Sequence, residues 1–77
     1  MIRPEKEILL MAIGDRIRML REEKGISQRQ LAALTGIKQP AIARLESGRS
    51  VPNIATLKKL LEPLGYTLTI SQIIDNT

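Results

Sequence analysis

Neither cysteine nor histidine occurs in this sequence of 77 residues. Without them no disulfide framework, no zinc finger or ribbon, and no cysteine- or serine-histidine catalytic apparatus can be assembled. Long apolar runs are missing too: the longest, Ile8 to Ile13, is far below the about 20 residues that a bilayer-spanning helix needs. Glu5 and Glu7 precede that run, Asp15 follows it, and no small-residue cleavage site closes it, so it makes a poor secretory leader. The expectation is a cytoplasmic protein with no membrane partner. There is no internal repeat and no low-complexity linker. The length suits a single domain over residues 1–77, whose small core is only marginally stable alone, which makes dimerisation an early expectation.

Catalytic groupings are also absent. Glu22 and Glu23 are adjacent, so on a helix they diverge by about 100° and cannot work as a carboxylate pair. The glycines at 14, 25, 36, 48 and 65 form no phosphate-cradling loop and read as helix boundaries or packing points. No enzyme, metal or cofactor is expected.

What is present is positive charge, concentrated in the middle. The formal charge is +4 overall. Between Arg16 and Lys59 ten basic residues face only Glu22, Glu23 and Glu46, a local +7, while the flanks together carry −3. A basic centre with mildly acidic ends suits a chain that presents one segment to phosphates.

Apolar periodicity divides the chain into helices. From Pro4 to Lys24, Ile13, Ile17 and Leu20 recur at helical spacing, with Leu9 or Leu10 extending the stripe; Pro4 suits the start and Gly25 the stop. Gly14 is a weak point at which this helix could split. Ser27 with Gln30 forms a capping box, Ile26 and Leu31 a hydrophobic staple, and the second helix runs to about Thr35, where Gly36 supplies a left-handed turn. A third helix fits Gln39 to Ser47, with Pro40 tolerated in the first turn. Asn53 caps a fourth, which carries Ile54, Leu57, Leu60, Leu61 and Leu64 on one side until Pro63 ends or kinks it near Glu62. After Gly65 the period drops to two. Tyr66, Leu68 and Ile70 alternate with threonines, predicting a strand over residues 66–70 that needs a partner, from residues Met1 to Arg3 or from a second molecule.

Two short helices joined by a glycine turn and buttressed by neighbours can present one helix to the DNA major groove. From Ser27 to Pro52 the chain reads S-Q-x-x-L-A-x-x-x-G-I-x-x-x-x-I-x-x-x-E-x-G-x-x-x-P. This resembles the helix-turn-helix of Cro and the phage repressors, the XRE family, over about Ile13 to Leu64. Mechanically, Leu31, Ile42 and Leu45 pack the two helices, Ala32 lets them approach, and Ile37 plugs the turn. The resemblance implies an all-α, lambda-repressor-like domain of four to five helices with one C-terminal strand and a helix-turn-helix at 28–47. It implies that Gln39 to Ser47 is the recognition helix and that Arg21 and Glu46 form an internal ion pair.

The base-reading candidates are Lys38, Gln39, Pro40 and, one turn later, Arg44. Gln can bond bidentately to adenine, Lys or Arg to guanine, and the proline ring can rest on a thymine methyl. Ala43 also faces outward. Phosphate contacts fall to Gln28, at a helix N-terminus, and to Arg29, Arg49 and Asn53. Lys58 and Lys59 serve equally well as complements to a helix dipole. Two departures from the family pattern stand out: Lys38 replaces the usual small hydroxyl cap, and Pro63 interrupts a helix that commonly continues. The partner expected is double-stranded DNA, bound by a homodimeric repressor on a palindromic operator with Tyr66, Leu68 and Ile70 pairing across the two-fold axis. The G-Y-x-L-x-I strand also resembles antitoxins encoded beside a toxin gene, which implies a toxin protein as a further partner, met by Ile8 to Met11 or by the tail from Ile73 to Thr77.

Overall fold

The computed structural model describes the backbone of residues 4–68 and the side chains of residues 12–68. Four α-helices make up its framework: α1 (Pro4–Glu23), α2 (Gln28–Thr35), α3 (Gln39–Glu46) and α4 (Ile54–Leu61), followed by a 3-10 turn over Glu62–Leu64. Each boundary has a local cause. Ser27 accepts from the backbone N–H of Gln30 at 3.0 Å while Gln30 Oε1 accepts from the Ser27 N–H at 2.7 Å, so both ends of the capping box are closed. Gly36 takes φ 77°, and its N–H donates to the Ala32 carbonyl, ending α2. Asn53 caps α4 by accepting from the Thr56 N–H at 2.8 Å. Pro63 lacks the amide needed to continue α4, and the chain tightens there into the 3-10 turn as its position predicts. Among the described residues no helix is long and apolar enough to cross a membrane.

The core joins all four helices. Ile17 and Leu20 from α1 meet Leu31 from α2, Ile42 and Leu45 from α3, and Leu60, Leu61 and Leu64 from the end of the chain described. Half-buried Ala32 and Ile37 pack against this cluster, which places the helix-turn-helix hinge directly on the core. Ile54, expected on the inner side of α4, is instead 67% exposed, because the first residue after the cap precedes the turn of α4 that reaches the core.

Gly14 does not divide α1, which is a single helix of 20 residues. Its lack of a side chain serves packing between helices. A Cβ at this position would collide with the Leu45 carbonyl oxygen and lie 3.0 Å from that of Glu46, so the backbone of α1 rests against the end of α3. Gly14→Ala is therefore expected to destabilise the fold by about 1–3 kcal/mol despite its better helix propensity, since the obstruction is backbone and cannot rotate away. A urea titration showing unchanged stability would contradict this contact.

The strand expected over residues 66–70 is not formed in its described part. Tyr66, Thr67 and Leu68 are irregular, and among the described residues there is no strand for their backbone to pair with. Leu68 packs against the core, whereas Tyr66 stays 44% exposed. Residues 69–77, including Ile70 and the tail from Ile73, lie outside the described residues, as do residues 1–3 and the side chains of Ile8 to Met11.

Candidate nucleic-acid interface

The chain positions α3 through a buried ion pair. Arg21, near the end of α1, donates from Nε to Glu46 Oε2 at 2.7 Å and from Nη2 to Glu46 Oε1 at 2.8 Å, a bidentate fork that matches the carboxylate plane. Its remaining Nη1 donates to the Ile26 carbonyl at 2.8 Å, tying in the loop before α2. Both residues are buried, Arg21 at 8% and Glu46 at 6% exposure. Burial alone would raise the Glu46 carboxyl, but the hydrogen bonds from Arg21 and Gln28 and the positive field of Arg21 and Arg18 outweigh it and hold the group below its ordinary range. The reciprocal bond to Glu46 raises Arg21, against the opposing effect of burial.

From this pair a chain of hydrogen bonds runs outward. Gln28, the first residue of α2, donates from Nε2 to Glu46 Oε1 at 3.0 Å. Gln39, the first residue of α3, donates from Nε2 to Gln28 Oε1 at 2.8 Å. The two glutamines placed separately by the sequence, one as phosphate contact and one as base reader, thus form a bridge across the starts of the two helices. Nothing in the spacings of 11 and 18 residues announces this bridge; the shared position of the two glutamines at helix starts is the signal that could have found it.

The other sequence-derived candidates are spread over three helices: Arg29 in the first turn of α2, Lys38 and Pro40 at the start of α3, Arg44 in its last turn, Arg49 in the α3–α4 loop and Asn53 at the cap of α4. Lys38, Pro40 and Arg44 are exposed, and Arg44 follows Pro40 by one turn of α3. Lys38 caps α3 with its backbone only, its carbonyl accepting from Ala41 and Ile42, so its ammonium is not used as a cap. Ala41 is exposed whereas Ala43 is half-buried, so the outward face of α3 includes a residue that the sequence reading omitted. Arg29 and Arg49 are exposed, and among the described residues Arg29, Lys38, Arg44 and Arg49 make no ion pair. Asn53 commits its oxygen to the α4 cap, leaving its amide nitrogen as the donor. No acidic residue occupies the first turn of α2, α3 or α4, so no carboxylate competes for the positive ends of these helices. Gln39, Pro40 and Arg44 lie on α3 in chain order, with Gln39 bonded to the start of α2 and Pro40 and Arg44 exposed.

Comparison with known proteins identifies the family of the fold. The helix-turn-helix family HTH_3 matches residues 17–71, more than half of the chain. The chain belongs to this helix-turn-helix family. A relative in Haemophilus influenzae, described as an uncharacterized HTH-type transcriptional regulator, is 58% identical over 50 residues, spanning 65% of this chain and 51% of that protein. The HTH-type transcriptional repressor RghR of Bacillus subtilis is 44% identical over 54 residues, spanning 69% of this chain and 40% of that one. This helix-turn-helix chain therefore spans about half or less of these two relatives. Among solved structures, a toxin-antitoxin module from Streptococcus pneumoniae superposes with a TM-score of 0.70 at 38% identity, covering 95% of this chain and 84% of that chain.

Proposed function

We propose that the protein is a sequence-specific DNA-binding transcriptional regulator, acting as a homodimeric repressor on a palindromic operator. Lys38, Gln39, Pro40 and Arg44 read base edges, and Gln28, Arg29, Arg49 and Asn53 hold phosphates. The carrying observation is the Gln28–Gln39 bridge of 2.8 Å, which joins a phosphate-directed helix start to a base-directed one. Such coupling fixes the insertion depth of α3 against the backbone of the duplex.

A second copy would supply a partner for the strand that the sequence predicts from Tyr66 to Ile70. Pairing Tyr66, Leu68 and Ile70 antiparallel about a two-fold axis would set two recognition helices about 34 Å apart, one turn of duplex. A largely apolar open groove of about 430 Å³ between α1 and α4, lined by Ile13, Ile17, Leu57, Leu61 and Leu68 together with Ala12 and Arg16, includes Leu68 of this segment and supports burial there. Sedimentation with a selected operator is expected to give two chains per duplex; one chain per duplex at micromolar protein would reject the dimer.

The assignments are separable by mutation. Gln39→Ala or Arg44→Ala is expected to relax base preference by about 1–3 kcal/mol, whereas Arg49→Ala weakens binding to all sequences alike. Equal losses on selected and random duplexes for all three would reject the division of roles.

The likeness to a toxin-antitoxin module over 95% of the chain favours a second activity beside the first, neutralisation of a toxin protein by an autoregulating antitoxin. Co-expression with the product of the adjacent gene, followed by affinity capture, is expected to return a stable complex. Absence of a complex would confine the protein to DNA.

A further inference from the structure

The hydrogen-bond chain from α1 to the tip of Gln39 has a direction, set at its buried end. An ionised carboxylate only accepts hydrogen bonds, so Gln28 must turn its Nε2 toward Glu46. The opposite flip would place the Gln28 oxygen against the carboxylate inside the protein, where an unpaired acceptor is costly. With its nitrogen so committed, Gln28 presents Oε1 to Gln39, and Gln39 must answer with Nε2. Among the described residues this leaves Gln39 with Oε1 and one Nε2 proton uncommitted, one acceptor and one donor.

That pair of groups fits one purine and not the other. Adenine offers N7 as acceptor and N6 as donor in the major groove, whereas guanine offers two acceptors, N7 and O6. Were the chain to run the other way, Gln39 would accept from Gln28 through Oε1 and hold out two N–H donors, the complement of guanine. We propose that Glu46, which need not touch DNA, is a specificity-determining positioning residue: by fixing the amide polarity of Gln28 and hence of Gln39, it makes the recognition helix select adenine over guanine. The inference rests on Gln39 as a base reader, as stated under the proposed function. The Glu46 carboxyl is held in its ionised form by the bonds from Arg21 and Gln28, so the polarity is maintained under neutral conditions.

The test uses the full chain. Binding-site selection first yields an operator, and Gln39→Ala identifies the base pair at which preference depends on that residue. Fluorescence anisotropy then measures affinity for duplexes carrying adenine or guanine at that position. The intact protein is expected to favour adenine by about 5- to 150-fold. Glu46→Gln permits either polarity and is expected to reduce the ratio to about threefold or less, mainly through tighter binding to the guanine duplex, while preference at the Arg44-dependent position is unchanged. Because that substitution also strips Arg21 of its counter-charge, Gln28→Ala serves as the second variant. It cuts the chain but keeps the ion pair, and the same collapse of the ratio is expected. Folded Glu46→Gln or Gln28→Ala protein that retains the adenine preference overturns the proposal. If Gln39→Ala changes preference at no position, the base-reading assignment itself fails, and the two failures are thereby distinguished.

Discussion

Raising salt from 50 to 200 mM is expected to weaken operator binding by about 10⁴-fold. Four exposed cations, Arg29 in the first turn of α2, Lys38 at the cap of α3, Arg44 in its last turn and Arg49 in the α3–α4 loop, are in no ion pair among the described residues. A two-fold dimer doubles that set. Counterions are displaced by every cation brought against the duplex, so Lys38 and Arg44, although they read bases, count with Arg29 and Arg49; each contributes about −0.9 to the slope of log affinity against log salt, so eight cations give a slope of about −7, and a fourfold rise in salt costs about four decades. A single chain on DNA, with four contacts, would show a slope near −3.6 and lose about two decades. The measurement therefore reports both phosphate binding and the number of chains bound. A slope close to zero would remove the electrostatic basis of the interface. Arg49→Ala is expected to lower the slope by about 2 in the dimer, one contact per chain.

Cutting the buried ion pair should be the most damaging single change to the fold. Arg21→Met leaves the Glu46 carboxylate enclosed by the core with only Gln28 to donate to it, and removing one partner of such a pair costs about 3–5 kcal/mol. A domain of this length has a total stability of only about 4–12 kcal/mol, so the loss takes from about a quarter to all of it, and the variant is expected to melt well below the intact protein by circular dichroism. The double substitution Arg21→Met with Glu46→Leu removes both charges and is expected to recover most of the lost stability, because an apolar pair of similar volume can replace a buried ion pair at little cost. If the double variant is no more stable than the single one, the loss lies in packing and not in an uncompensated charge. The double variant also lacks the carboxylate that orients Gln28, so it should fold yet discriminate poorly between adenine and guanine.

The same pair sets an acid limit. Glu46 has a folded-state value below its unfolded one, so its contribution to stability is fully present above the ordinary glutamate range of about 4.3 and is lost as pH falls through the lowered folded value. Acid unfolding monitored by circular dichroism should show this loss in the intact protein, and the doubly substituted protein should lack that component.

The helices were legible because their ends carry chemistry of short range. Ser27 with Gln30, Gly36, Asn53 and Pro63 each act within four residues of themselves, and all four act in the structure as their local sequence implies. The Arg21–Glu46 pair, 25 residues apart, was accessible through family resemblance alone. What escaped the sequence depends on how helices meet. Gly14 looked like a weak point because propensity counts only its own helix, whereas its role comes from carbonyls on α3. Ile54 matched the apolar period of α4 but precedes the turn that touches the core. The bridge between Gln28 and Gln39 follows from two helices starting side by side, which no one-dimensional pattern encodes.

The division of α3 into tethered and untethered residues bears on how such a protein could acquire a new target. Gln39 is linked through Gln28 to the ion pair, so replacing it disturbs a network that reaches the core. Pro40, Ala41 and Arg44 have exposed side chains that take no part in that network. Surface positions of this kind usually tolerate exchange within about 0.5 kcal/mol. A library randomised at these three positions would vary the operator while retaining the scaffold, with the adenine preference set through Glu46 as its common anchor.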